Sequence, residues 1–80
     1  MNEARAIEFA SDNNVTVSTD SVKRVQVRGK WSKVVTFKVG SRTVTKVEGQ
    51  NWVTYQNGAA FTGRRGACIA FCVQAELDEC

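Results

Sequence analysis

The 80-residue chain contains no histidine and no proline. Without an imidazole, His-based general acid–base catalysis and Ser–His or Cys–His nucleophile activation are excluded. Without proline, no strand has a forced break or a proline-marked edge. Cysteine is scarce. Cys68, Cys72 and Cys80 are an odd set with no secretion signal ahead of them, which argues against a disulfide scaffold. They also fall short of the four Cys or His ligands that structural zinc takes. Cys68 and Cys72, one helical turn apart, read as small buried apolar residues, and Cys80 as an exposed terminal thiol. The opening MNEARAIEFASDNN has neither a basic n-region nor a long apolar h-region, and ACIAFCV at 67–73 is far too short to span a bilayer. A cytoplasmic protein without membrane contact is expected. No phosphate- or dinucleotide-binding glycine pattern occurs, and spacing fixes no pair of carboxylates into a site. The chain therefore reads as a non-enzyme that needs no cofactor.

The scarcity that matters most is of acid in the middle of the chain. Residues 23–46, KRVQVRGKWSKVVTFKVGSRTVTK, hold eight Lys or Arg and no Asp or Glu. Residues 1–20 set Arg5 against Glu3, Glu8, Asp12 and Asp20, a net of −3. Residues 21–66 set ten bases against Glu48 alone, a net of +9, and residues 67–80 return to −3 through Glu76, Asp78 and Glu79. A basic centre between acidic ends shapes the surface potential and the choice of partner.

The pattern predicts one α+β domain over residues 1–80, with a core so small that net stability is roughly 3–5 kcal/mol. Residues 2–11 read as a short helix capped by Asn2, with Ala6, Ile7, Phe9 and Ala10 as its apolar stripe and Asp12-Asn13-Asn14 as its stop. VTVS at 15–18 alternates like a short strand. Gly29, Gly40, Gly49 and Gly58 then punctuate an antiparallel meander with strands at about 22–28, 32–39, 42–48, 51–56 and 59–62. Gly40-Ser41 and Gly49-Gln50 suit type II′ turns, and Asn57-Gly58 suits type I′. These turns set Phe37 opposite Val44, Lys38 opposite Thr43, Val44 opposite Tyr55 and Val47 opposite Trp52. A three-residue loop at Gly29-Lys30-Trp31 sets Val25 opposite Val35. One face then gathers Val25, Val35, Phe37, Val39, Val44, Val53 and Tyr55. The other gathers Arg24, Gln26, Arg28, Thr36, Lys38, Thr43 and Thr45. Lys33, Arg42 and Lys46 fall on the apolar side, as strand-end groups that snorkel. A helix from about residue 63, capped by Thr62, carries Cys68, Ile69, Cys72, Val73 and Leu77 to cover the apolar face.

Two features bear on function. Arg24, Arg28 and Lys38, with the Thr36, Thr43 and Thr45 hydroxyls, suit a sugar–phosphate backbone, and Lys30-Trp31 in the hairpin loop suits stacking on a base or wedging into a groove. Trp52 is a second aromatic candidate. The alternative is an ordinary solvated face, with Trp31 folded back on the core. At TGRRG, residues 62–66, Arg64 and Arg65 crowd a helix start whose dipole already favours an anion, so an external phosphate would relieve it. The alternative is pairing of both arginines with Glu3 or Glu8.

VTFKVGSRTVTKVEG at 35–49 resembles the central hairpin of double-stranded RNA-binding domains, and RRGA at 64–67 followed by Ala75 resembles the start of their second helix. That likeness implies phosphate contacts from Arg64 and Arg65. The sheet-plus-helix order is also similar to three-stranded DNA-reading sheets of the AP2 and integrase arm-binding kinds. The leading expectation is a nucleic-acid-binding module touching DNA or RNA backbone through Arg24, Arg28, Lys30, Trp31, Lys38, Arg64 and Arg65. The competing one is a phage or mobile-element accessory protein, an anti-CRISPR-like inhibitor that presents the same basic surface to an acidic patch on a host protein. A homodimer is compatible with either.

Overall fold

Residues 2–79 are described here from a computed structural model. Helix α1 spans Glu3–Asp12 because Asn2 accepts the Arg5 amide at 2.8 Å at its start. At its end Asn13 returns its side-chain amide to the Phe9 carbonyl, and Asn14 turns left-handed at φ 57°. Ala6 and Ala10 are its buried residues, whereas Ile7, expected in the apolar stripe, is 43% exposed. Five antiparallel strands follow in sequential order: β1 (Ser21–Val27), β2 (Lys30–Val39), β3 (Arg42–Val47), β4 (Trp52–Gln56) and β5 (Ala59–Gly63). Helix α2, Arg65–Asp78, closes the chain and packs over β2 to β5. The predicted two-layer α+β fold is thus the observed one. The segment at 15–18 contributes a single bridge, Val17 to Val39, which prolongs the β1 edge along the far end of β2.

Two registers differ from those expected, and each reverses a face, because a strand's side chains alternate with period two. The first hairpin turns on Arg28-Gly29, both at positive φ (53° and 80°), a two-residue type I′ geometry. Strand β2 therefore starts at Lys30, and Val25 lies opposite Ser32 rather than Val35. The third connection is a four-residue loop, 48–51, so Val44 faces Thr54 and Lys46 faces Trp52, not Tyr55 and Val47 with their expected partners. The Phe37–Val44 and Lys38–Thr43 pairs stand as expected. The corrected helix-side face holds Phe37, Val39, Val44, Trp52 and Thr54, while Val25, Val53 and Tyr55 move to the bare face and Arg24 and Gln26 to the helix side.

The core joins Ala6, Ala10, Phe37, Val39, Val44, Cys68, Ile69, Cys72 and Val73. Thr54 is buried within it, its hydroxyl donating to the Thr43 carbonyl at 2.9 Å and lying 3.3 Å from the Cys72 sulfur. The helices run side by side in the same direction. Gly66 of α2 abuts the backbone of Asn2 and Glu3, and at the other end Asn13 to Val15 line one depression with Glu76 and Leu77. The α2 N-cap is Arg64 rather than Thr62, with no side-chain capping bond.

The acids at the α2 C-terminus oppose the helix dipole, and the structure shows what offsets them. Arg42, 11% exposed, pairs with both Glu76 and Glu79. Glu76 also accepts the Ser41 hydroxyl at 2.7 Å and the Ser41 amide at 3.0 Å, fastening helix to hairpin turn. Those Ser41 bonds first, and Arg42 after them, hold the Glu76 carboxyl below its ordinary pKa of 4.5. A carboxylate depressed by folding stabilises above its unfolded pKa and loses that contribution as pH falls. Glu76→Gln is therefore expected to lower Tm at neutral pH and to flatten the decline of Tm below about pH 4.5, measurable by thermal melts across the acid range.

Candidate functional site

The helix layer stops partway along the sheet. A row of paired residues crosses all five strands on the helix side: Val22, Val35, Lys46, Trp52 and Gly63. Arg65, the first residue of α2, stands over this line, its guanidinium 4.1 Å from the Phe37 ring centre and 5.0 Å from that of Trp52. Beyond the row β3 adds only Val47, paired with Val34, and the Glu48 amide donates to the Lys33 carbonyl at 2.9 Å; past these only β1 and β2 continue. The result is a two-stranded arm ending at Arg28-Gly29. Every residue of β1 is exposed, the strand packs chiefly on β2, and the molecule measures 42 × 25 × 19 Å.

The arm, residues 21–34, carries Lys23, Arg24, Arg28, Lys30 and Lys33 and no acid. Among the described residues none of the five is in an ion pair, in contrast to Arg42 and Arg65. Its helix-side face pairs Arg24 directly with Lys33 and Gln26 directly with Trp31, which is 64% exposed. Like charges placed opposite each other destabilise a sheet unless an anion lies between them. Lys33 and Lys46 share a shallow depression with Val35, Glu48 and Gly49. Glu48, the one acid here, accepts the Lys33 amide at 3.2 Å. At the tip, Arg28 sits in left-handed backbone that Asn or Gly occupies more cheaply, and for an arginine this costs about 1–2 kcal/mol.

The structure gathers some of the expected site residues and separates others. Arg24, Arg28, Lys30 and Trp31 share the arm. Lys38 lies on the bare face near the opposite end of β2, about 26 Å from Lys30 at the usual strand rise, beside Thr43 and the touching Thr36 and Thr45 hydroxyls. A single stripe joining Arg24 and Lys38 does not exist, because the register puts them on different faces. Arg64 is exposed at the α2 N-cap. Arg65 is committed internally: it donates to both oxygens of Asp20 at 2.7 and 3.2 Å and pairs with Glu3 at 3.1 Å. The expected alternative of pairing with the first helix thus describes Arg65, while Asp20 as a partner had no sequence signal. Trp52 is half-buried edge-on against Phe37, centroids 5.5 Å apart, and packs against the core. Lys33 and Lys46 enter the site once β2 is read as running back to Lys30.

Burial pushes the Cys68 thiol up to about 11, with Cys72 adding to the effect, and burial raises the Cys72 thiol as well. Neither provides a thiolate at neutral pH, and both serve packing. Cys80 lies outside the described residues. No helix among the described residues is long and apolar enough to cross a membrane.

Compared with known proteins, the chain matches no family model, no curated protein and no solved structure.

Proposed function

We propose that the chain is a non-enzymatic nucleic-acid-binding module whose contact element is the β1–β2 arm. The observation that carries the reading is the arm's combination of reach and charge: two strands clear of the helix layer, five unpaired bases, no acid, and an exposed tryptophan. Phosphate contacts supply most nucleic-acid affinity, and they need cations free of internal partners. Arg24, Arg28 and Lys30 meet that condition, as do Lys23 and Lys33. Arg64 stands where the helix layer begins and extends the basic surface. The strained Arg28 is consistent with a tip residue retained for contact at some cost in stability.

Binding should track salt. With four to six phosphates neutralised, affinity falls roughly 10²–10³-fold between about 50 and 200 mM salt. The test is fluorescence anisotropy with labelled nucleic acids at both salt concentrations. Arg24→Glu combined with Lys33→Glu should abolish binding, while Lys38→Glu, remote on the other face, should weaken it only slightly. Salt-insensitive binding, or full binding by the arm double variant, would overturn the reading.

A second reading rests on a specific feature, the free edge of β1. Its outward N–H and C=O groups are open to an added strand, and the surrounding bases would favour an acidic one. On this reading the module occupies a host protein's acidic surface, as an inhibitor of the phage or mobile-element kind would, or pairs with a second copy. Either partner would be met in the cytoplasm.

A further inference from the structure

Resting on the nucleic-acid reading, we infer that the arm's target is B-form duplex DNA, entered through the major groove with the helix-side face of the ribbon toward the bases. The dimensions select the groove. The B-form major groove, roughly 12 Å wide and about 8.5 Å deep, admits a two-stranded ribbon, whereas the minor groove is only about 6 Å wide. The A-form RNA major groove is too narrow for side chains to read. Residues 30–34 reach past the Val35 row by about 17 Å at a strand's rise per residue. That length takes the tip to the groove floor and across it.

The charge layout excludes the other classes. Duplex RNA is gripped over two successive minor grooves, about 16 base pairs, which needs cations along the whole contact. Here, among the described residues, five cations without an ion pair cluster on the arm, whereas at the other end Lys38 shares the surface with the acids Glu76, Asp78 and Glu79 at the helix C-terminus, so the free positive charge does not run along the whole molecule. Single strands are held on several aromatic platforms lining one basic groove. Trp31 is the exposed ring on the helix side, Tyr55 lies on the opposite face, and the other rings are engaged in pairs, Phe37 with Trp52 and Phe61 with Phe71.

The helix-side face also carries the side chains that read major-groove edges. Arg24 and Lys33 match guanine O6 and N7, and Gln26 matches adenine N6 and N7. Lys23 and Lys30 lie on the opposite face, turned out of the groove, and only the length of their side chains lets them curl back to the flanking backbone. Lys46 and Arg64, where the arm meets the helix layer, face the phosphates at the groove's rim.

The experiment compares one sequence as duplex DNA, single-stranded DNA and duplex RNA, by anisotropy at low salt. Dimethyl sulfate premethylation at guanine N7 and the minor-groove ligand netropsin then serve as groove probes. Duplex DNA should bind about tenfold or more tighter than the other two, N7 methylation should interfere, and netropsin should not compete. Arg24→Ala should cost about 5- to 150-fold on duplexes where it reads guanine, and Lys38→Ala should leave binding unchanged, with circular dichroism confirming that both variants fold. Equal or tighter binding to RNA or to the single strand overturns the inference and leaves the nucleic-acid reading standing. So does competition by netropsin without methylation interference. Binding to none of the three overturns both.

Discussion

Phe37→Ala should leave most of the protein unfolded at room temperature. Phe37 is 2% exposed on the helix-side face of β2, meets Trp52 edge-on and lies beneath the Arg65 guanidinium. Removing the ring deletes its own burial, leaves a cavity, and takes away the floor on which Trp52 and Arg65 rest. Phe→Ala in a packed core costs about 3–5 kcal/mol, as much as the roughly 3–5 kcal/mol available to a chain of this size. Urea titration followed by far-UV circular dichroism should show no native baseline. Phe37→Leu, which keeps most of the volume, should unfold cooperatively with a loss of roughly 1 kcal/mol. A Phe37→Ala variant melting within a few degrees of the parent would mean that the core does not depend on this ring.

Gly66→Ala should also destabilise, against the usual preference of helices for alanine. Helix propensity alone predicts a gain of about 1 kcal/mol. A β-carbon here, however, would lie 2.7 Å from the Glu3 nitrogen, 2.8 Å from the Asn2 carbonyl carbon and 2.9 Å from the Glu3 α-carbon. All three are backbone atoms, which no rotamer change can move aside. α1 must shift as a unit, loosening Ala6 and Ala10 in the core and the Glu3–Arg65 pair. Overpacking costs typically about 1–3 kcal/mol, and the loosened contacts add to it. A net loss of about 1–3 kcal/mol lowers Tm by roughly 4–8 °C for each kcal/mol in a domain of this length. Gly63→Ala is the control. Its β-carbon meets the Ala67 β-carbon at 3.7 Å and Phe61 at 3.9 Å, ordinary contacts, so its Tm should hold or rise. Equal behaviour of the two variants would rule out helix apposition as the role of Gly66.

These two residues mark the limits of what the sequence discloses. Strand number, strand order and both helices were legible, because Gly40-Ser41 and Asn57-Gly58 have residues their turn types require and the α2 stripe has helical spacing. Phe37 was legible as core for the same reason. The Arg28-Gly29 turn was not, because arginine is a poor occupant of left-handed backbone and so does not signal a type I′ turn. The loop at 48–51 resembles a two-residue turn because Gly49-Gln50 suits one, and nothing local reports that Glu48 and Asn51 also leave the ladder. Each error shifts pairing by an odd number of residues, so it moved Arg24, Gln26, Val53 and Tyr55 to opposite faces. For the site, the concentration of base was visible while its placement was not. Arg64 and Arg65 look equivalent in the chain, yet one is exposed and the other is held by Asp20, 45 residues away. The close approach at Gly66 likewise depends on how two distant helices meet.

The segregation of charge along the long axis has a kinetic consequence. With five cations on the arm at one end, unpaired among the described residues, and Glu76, Asp78 and Glu79 outnumbering Lys38 and Arg42 at the other, the charge distribution has a dipole component along the molecule's length. Near any strongly negative body this dipole experiences a torque before contact, turning the arm forward and the helix C-termini away. Rotational search shortens, and productive encounters become a larger fraction of collisions. Charge of one sign spread evenly would attract as strongly at long range but would leave orientation to chance.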